Sequence, residues 1–481
     1  MYSVPNCASD RLPASAVVLG KALSILRPSL RRRRYRAPAG PVAWCRVLAL
    51  LSLGLLGGCT SFSEGFSRVD RQLMAGDIAA ARVGHEKLAY PSRDRALQAL
   101  NRGMLQRLSG DLAASNVALE SAKHQMDDLS RLSLAEQATG LVTNDEFRAY
   151  EGQVHERIYL HLIKTINYLQ LGERFSARVE VLQLDVLMRE LAVSETRAVE
   201  RAAPFARYLS GLIFDAMDEP ADALIAYRQA LAAYRARDGE SGVPPALKLD
   251  LLRLTRRLGI GDEHERYRQE FDIPANAIRP PGGEGEVVAI VFDGLAPALR
   301  ENSVVWPEYG GGRMFRVSLP VVVYRPASFG VPQLTADDFR MGAELVDDLD
   351  RLVRADLDDR LPAMAARAVA RQVLKQGAAT AASRAAKSKA DTSGEQLAAG
   401  VLSIGMQFAA VLTERADTRN WSTLPGRVWL IRQRLPAGKH RVQLESGTRR
   451  QAVSDVSVEA GEKTFIVWHP LGAGGAIGSA Q

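Results

Sequence analysis

Between residues 62 and 270 the chain is rich in Ala, Leu, Arg and Glu, holds few prolines, and is cut by short turns at recurring intervals. Straight-chain and small residues without breakers predict α-helices. Gly76-Asp77 is followed by Ala81, and Gly110-Asp111 comes 34 residues after the first turn. Gly172-Glu173 is followed by Ala177, and Asp218-Glu219 by Ala223, Tyr227 and Ala230. A tight turn, a small residue five positions on, then an aromatic and a second small residue at helical spacing is the grammar of the tetratricopeptide repeat, whose period is 34 residues. The best copy runs from Asp218 to Leu231. The spacing from Gly110 to Gly172 is 62, so a long helix is expected between those repeats. A generic helical bundle with Gly-Asp turns is the plainer alternative.

The character changes at Phe271-Asp272-Ile273-Pro274, and Pro280-Pro281-Gly282-Gly283 marks a boundary. Val287 to Phe292 is a continuous apolar, β-branched run, as in a buried strand. Val317 to Tyr324 is a second strand, with Pro320 placing it at an edge or bulge. Thr335 and Asp338 resemble a capping box ahead of an amphipathic helix from Asp338 to Leu361. Pro362 is expected to open another helix, running to about Lys387. A third, very apolar helix is read at Leu397 to Leu412 as part of the core, with a partner-binding or bilayer-touching segment as alternatives. Strands return at Val428 to Ile431 and at His440, Val442 and Leu444, which alternate with polar residues. A hairpin is expected at Ala460-Gly461-Glu462.

The predicted fold is therefore α+β: a helical-repeat solenoid followed by a small antiparallel β-sandwich interrupted by helices. The expected divisions are 1–58, a signal peptide with an upstream extension; 59–273, the tetratricopeptide-like domain; 284–334 and 415–471, two parts of the β domain; 335–414, an inserted helical segment; and 472–481, a disordered tail.

Ahead of the helices, Arg31 to Arg34, Arg36 and Arg46 form a basic stretch, and Val47 to Leu56 an apolar one. Leu56-Gly57-Gly58-Cys59 has the form of a lipobox, with cleavage leaving Cys59 as the acylated first residue. The apolar run is shorter than the roughly 20 residues a spanning helix needs. Residues 1–30 are unusual for a signal and suggest a downstream start, and the arginine run lacks the residues that follow a twin-arginine signal. The whole chain carries +7. Nine of its 62 basic and one of its 55 acidic residues precede Cys59, leaving 53 and 54, a net charge of −1. The folded part has no basic footprint for nucleic acid. Cys7 and Cys45 leave with the signal, so disulfides, thiol nucleophiles and thiolate metal sites drop out.

Tyr150-Glu151-Gly152 through Glu156-Arg157, Asn167-Tyr168-Leu169 and Leu171-Gly172 to Ala177-Arg178-Val179-Glu180 resemble an uncharacterised family of bacterial lipoproteins with a tetratricopeptide-like half and a β-rich half. So do Gly294-Leu295-Ala296-Pro297, Leu319-Pro320, Tyr324-Arg325-Pro326, and Ala416-Asp417-Thr418-Arg419-Asn420-Trp421 to Leu424-Pro425. The resemblance covers nearly all of the chain after Cys59. Members are often encoded near the lipoprotein that activates penicillin-binding proteins, which implies a role in the cell envelope. The family offers no catalytic residue to carry over.

The other candidate chemistry reads as structural. His155 and His161 are six apart, whereas a metalloprotease pair needs four on one helix face; with His85, His124, His264, His440 and His469 they are read as solvent-facing. Asp347, Asp348, Asp350, Asp356, Asp358 and Asp359 are read as a solvated helix face rather than a calcium loop. Gly282-Gly283-Glu284-Gly285 precedes a strand, the wrong order for a dinucleotide loop, and Gly310-Gly311-Gly312 reads as a hairpin tip. The expectation is a non-enzymatic scaffold without metal or cofactor, tethered by lipid on Cys59 and facing the periplasm from the outer membrane. Its repeat-packing residues are Gly76, Ala81, Gly110, Gly172, Ala177, Ala223, Tyr227 and Ala230, and an envelope protein would sit on the concave face. The rival is a lipoprotein that binds peptidoglycan or another glycan through Trp306, Trp421 and Trp429.

Overall fold

A computed structural model describes residues 61–136, 146, 148–274, 282–307, 314–326, 330–388, 392–394, 396–397, 414–446, 449–471 and 477–480. The leader, the lipobox with Cys59, the Gly310 turn and all but the start of the Leu397 segment lie outside them. Residues from Thr60 onward form one compact unit.

Ten helices pair as five antiparallel hairpins: α1 Phe62–Met74 with α2 Ile78–Glu86, α3 Arg95–Leu108 with α4 Leu112–Glu136, α5 Val154–Gln170 with α6 Arg174–Ala192, α7 Thr196–Ala216 with α8 Pro220–Asp238, and α9 Pro245–Arg257 with α10 Gly261–Glu270. All five turns have the same hydrogen bonds. In the first, the Gly76 amide donates to the Leu73 carbonyl and the Asp77 amide to that of Gln72. The pattern recurs at Gly110, Gly172, Asp218 and Gly259, and it is the Schellman closure of a helix end. It needs a residue with positive φ: +78° at Gly76, +81° at Gly110, +75° at Gly172, +70° at Gly259, and +59° at Asp218, one of the few side chains that tolerate it. After the first four turns the residue five positions on is small and buried, as Ala81, Ser115, Ala177 and Ala223; after Gly259 it is His264. Gly211 on α7 shows why size matters, because an added Cβ would lie 2.3 Å from the Tyr227 ring on α8. The helical half is thus a run of tetratricopeptide-like hairpins. Its extra length lies in α4 and in the connection after it.

The β half departs from an all-antiparallel sandwich. One sheet has the order β11-β10-β1-β7-β6, from β1 Glu284–Asp293, β6 Glu344–Asp348, β7 Arg427–Pro436, β10 Lys463–His469 and β11 Ile477–Ala480. In it β1 and β10 are parallel, with Val288 beside Phe465. A second sheet has the order β5-β4-β8-β9, from β4 Gln333–Ala336, β5 Phe339–Gly342, β8 Gly438–Ser446 and β9 Arg449–Val458. A separate ribbon joins β2 Ala298–Pro307 to β3 Met314–Val323, with Pro320 opposite Glu301. The turn at Gly461 is not a hairpin within one sheet: it passes the chain from β9 in the second sheet to β10 in the first. Ile477–Ala480 pairs with β10 instead of trailing as a disordered tail.

Two further expectations fail at the insertion. Thr335 caps no helix, because Leu334 and Ala336 alternate into the core between the two sheets and β4 pairs with β8. Nor does Pro362 begin a new helix. A single helix, α11 Leu349–Ser388, runs through it. Leu357, Leu361 and Met364 lie on both sides of the proline and pack with Leu299, Leu319 and Val322 of the ribbon, so tertiary packing offsets the missing backbone bond.

Alternation within the first sheet decides the architecture. Val287, Ala289, Val291, Trp429, Ile431 and Trp468 face the second sheet. Val288, Ile290, Phe292, Val428, Leu430, Phe465 and Val467 face the helices and share one core with them. The layers run helices, sheet, sheet. The inner face of the solenoid is therefore filled by the chain's own sheet, not left open for a partner.

Candidate functional site

Several of the resemblance motifs fall at this helix–sheet joint. Arg419 is buried, donates to Asp94 (2.7 Å) and to Asp417 (2.7 Å), and lies over the Tyr150 ring. Two residues on, Trp421 is buried, and its amide donates to the Glu156 carboxylate at 2.6 Å. Tyr150 and the Gln153 amide donate to the same carboxylate, at 2.5 and 2.8 Å. Thr423 donates to Asn101 (2.9 Å), the Asn420 amide to the Pro297 carbonyl (2.8 Å), and Arg325 pairs with Asp70 (2.6 Å). These residues lock the halves together.

A second lock is ionic. Arg432 on β7 bonds Asp250 of α9, Glu286 of β1 (2.6 Å) and the Tyr208 hydroxyl (3.0 Å). Lys463 joins Glu286 (2.6 Å) to Asp215 (3.0 Å), and Arg253 joins Asp215 to Asp250. Three carboxylates and three cations close a neutral ring. Burial opposes ionisation of Asp215 and Glu286, but Lys463 with Arg253 and Arg432 outweigh it and hold both carboxyls low. No charge in this ring is spare for a substrate.

Several residues read from sequence as solvated are in fact buried. Asp347 lies on β6, not on a helix, and accepts from Tyr159 (2.6 Å) and from Arg237 (2.6 Å). Burial raises its pKa despite those partners. His85, His155, His161 and His469 are buried. His161 Nδ1 lies 2.6 Å from Glu180, which Lys164 also contacts at 2.8 Å. Burial pushes His85 down to about 4 and His469 down to about 3. Trp421 and Trp429 sit in cores, while Trp306 is 40% exposed and stacks on Phe315 at the ribbon. Among the described residues no group of acids, histidines and cysteines could hold a metal ion. None of their helices is long and apolar enough to cross a membrane.

An open cleft of about 830 Å³ lies where the α8–α9 loop meets β6 and the start of α11. Five consecutive lining residues, Glu344 to Asp348, make up β6, a free edge of the five-stranded sheet. Tyr234 donates to the Val346 carbonyl at 2.8 Å and so covers part of that edge. The rim carries Arg201, Arg237 and Arg351 opposite Asp238 and Asp348. These are paired among themselves or, for Arg201, with Asp359 at 2.7 Å. Glu344 Oε2 is buried without a hydrogen-bond partner, and burial raises that carboxyl. A balanced polar rim beside an open strand suits an extended polypeptide better than an apolar small molecule.

No family model matches the chain, and no curated protein matches it. Solved structures that align with it include MamA, at 14% identity over 42% of this chain and 91% of that one, with a TM-score of 0.27. A tetratricopeptide repeat protein from Parabacteroides merdae aligns at 17% identity over 44% and 67%, with a TM-score of 0.27. The nearly identical TPR-like repeats of a Podosopora anserina kinesin light chain align at 12% over 44% and 92%, with a TM-score of 0.29. Likeness at these scores adds no weight, and the repeat stands on the five hairpin turns.

Gly76, Gly110 and Gly172 are positive-φ turn residues, and Ala81, Ala177, Ala223, Tyr227 and Ala230 are buried. Cys59 lies outside the described residues. Sequence reading missed Ser115 as the small residue of the second repeat, and Asp218 as a left-handed turn residue. It also missed Asp215, Asp250, Glu286, Arg253, Arg432 and Lys463; apart from Asp250 with Arg253, three residues apart on α9, their pairing spans segments far apart in sequence.

Proposed function

We propose that this chain is a non-enzymatic envelope lipoprotein, acylated on Cys59, that presents a rigid helical-repeat and β-sheet body to a protein partner. The observation that carries the reading is the cleft along β6: with the inner face of the repeats occupied, it offers an open strand edge to a polypeptide. Helix α1 opens at a capping box on Ser61, two residues after Cys59. A lipid there would hold the body against the bilayer with almost no spacer. Thr60 after the cysteine favours the outer membrane, facing the periplasm. A role in peptidoglycan synthesis or envelope assembly fits this placement.

A photo-cross-linking residue at exposed Ser241 or Arg351, with Cys59 intact, should capture one envelope protein that the same group at Trp306 does not. Labelled fatty acid should enter the wild type and not Cys59→Ala. Sedimentation with isolated peptidoglycan, lost in Trp306→Ala, would instead favour the glycan reading, which retains one exposed tryptophan of its three.

A further inference from the structure

The outer face of the repeats carries a second regularity. Seven residues after each of the first four turns stands an exposed branched residue: Val83, Val117, Val179 and Ile225, exposed by 55, 72, 50 and 50%. On α6, the outer helix of the middle hairpin, this position widens into a stripe of Phe175, Val179, Leu182 and Val186, exposed by 43 to 77%. Ala177, Val181, Leu184 and Met188 point the other way, into the core. A solvated helix normally keeps its outer face polar, so this stripe calls for a partner.

We propose that the stripe is a seam at which two copies of this chain pair, their α6 helices antiparallel. The spacing is four, three, four, the interval at which apolar residues line a helix–helix seam. It also reads the same in both directions. An antiparallel copy therefore sets Phe175 on Val186 of the second chain and Val179 on its Leu182, each contact occurring twice, as a two-fold interface requires. Charges beside the seam match under the same operation. Arg178, held by Glu219 of its own chain at 2.8 Å, falls near Asp185 of the second copy, and Arg189 near its Glu173. Arg189 is 70% exposed and held within its own chain by Asp185 at 2.9 Å. A bilayer would call for a surplus of Lys and Arg beside the stripe, whereas the flanking charges here alternate in sign. The inference rests on hairpin geometry, so its failure leaves the scaffold reading standing.

From Phe175 to Val186 the seam is about 17 Å long, at the small end for a stable interface, so pairing in the micromolar range is expected. Sedimentation velocity of the purified full chain across that range should show a monomer–dimer equilibrium. Leu182→Glu or Val179→Glu should raise the dissociation constant at least about tenfold, a loss of ~1.4 kcal/mol. Thermal melting measured well below the dissociation constant, where both proteins are monomeric, should not change, since both side chains are exposed. Arg189→Glu should weaken pairing about threefold, and adding Glu173→Arg should restore it. A chain that stays monomeric throughout, or a dimer that ignores Leu182→Glu, overturns the proposal. Should the glutamate variants misfold, the Arg189/Glu173 exchange decides alone: restoration supports the seam and its absence refutes it.

Discussion

Replacing Arg432 with methionine tests whether the two halves are one cooperative body. The guanidinium is 10% exposed and bridges Asp250 and Glu286 while donating to Tyr208. Methionine keeps much of the aliphatic volume and removes the charge. The ring of three acids and three bases then has two cations for three carboxylates, all shielded from water. Removing one partner of a buried pair costs about 3–5 kcal/mol, because the remaining charge is left uncompensated. Over a folded unit of about 420 residues, the unfolding entropy converts that loss to a fall of roughly 3–6 °C in Tm. Calorimetry should show one transition, lowered as a whole, with helical and near-ultraviolet signals moving together. Adding Asp250→Asn should recover about half the loss, because it removes the orphaned charge. A loss below ~1 kcal/mol, or helices melting apart from the sheet, would refute the claim that this ring clamps the halves.

Acidification should destabilise the fold through His85 and His469. Both pKa values are depressed in the folded state, to about 4 and about 3, by burial. Each therefore contributes fully above its unfolded value near 6.5, and the contribution is lost as pH falls toward the folded value. At pH 5 the cost is about 2 kcal/mol for each. His85→Phe should flatten the dependence of Tm on pH between 7 and 5, and an unchanged slope would count against it. Gly211→Ala should cost about 1–3 kcal/mol by overpacking against Tyr227. Gly110→Ala, where φ is +81° and nothing lies near, should cost only about 1 kcal/mol of backbone strain. Equal losses in chemical denaturation would show that the steric contact is not the cause.

The helical hairpins are legible in the local sequence. Turn glycines and small residues act within a few positions of each other, and a Schellman turn closes on its own backbone. The sequence also determined β1, because an unbroken β-branched run has few alternatives. It misplaced what depends on distant partners. The pattern around Leu345, Val346 and Leu349 is apolar at helical spacing, yet the chain stays in a strand until Asp348, since β7 offers hydrogen bonds there. Asp347 looked solvated because its partners, Tyr159 and Arg237, lie more than a hundred residues away. That the inner face of the repeats is occupied follows from contacts between distant segments. Every strand of the five-stranded sheet that is described in full buries apolar residues, and its three central strands, β10, β1 and β7, are apolar on both faces. Such a sheet must be covered on both sides. The second sheet covers one, and the helices cover the other.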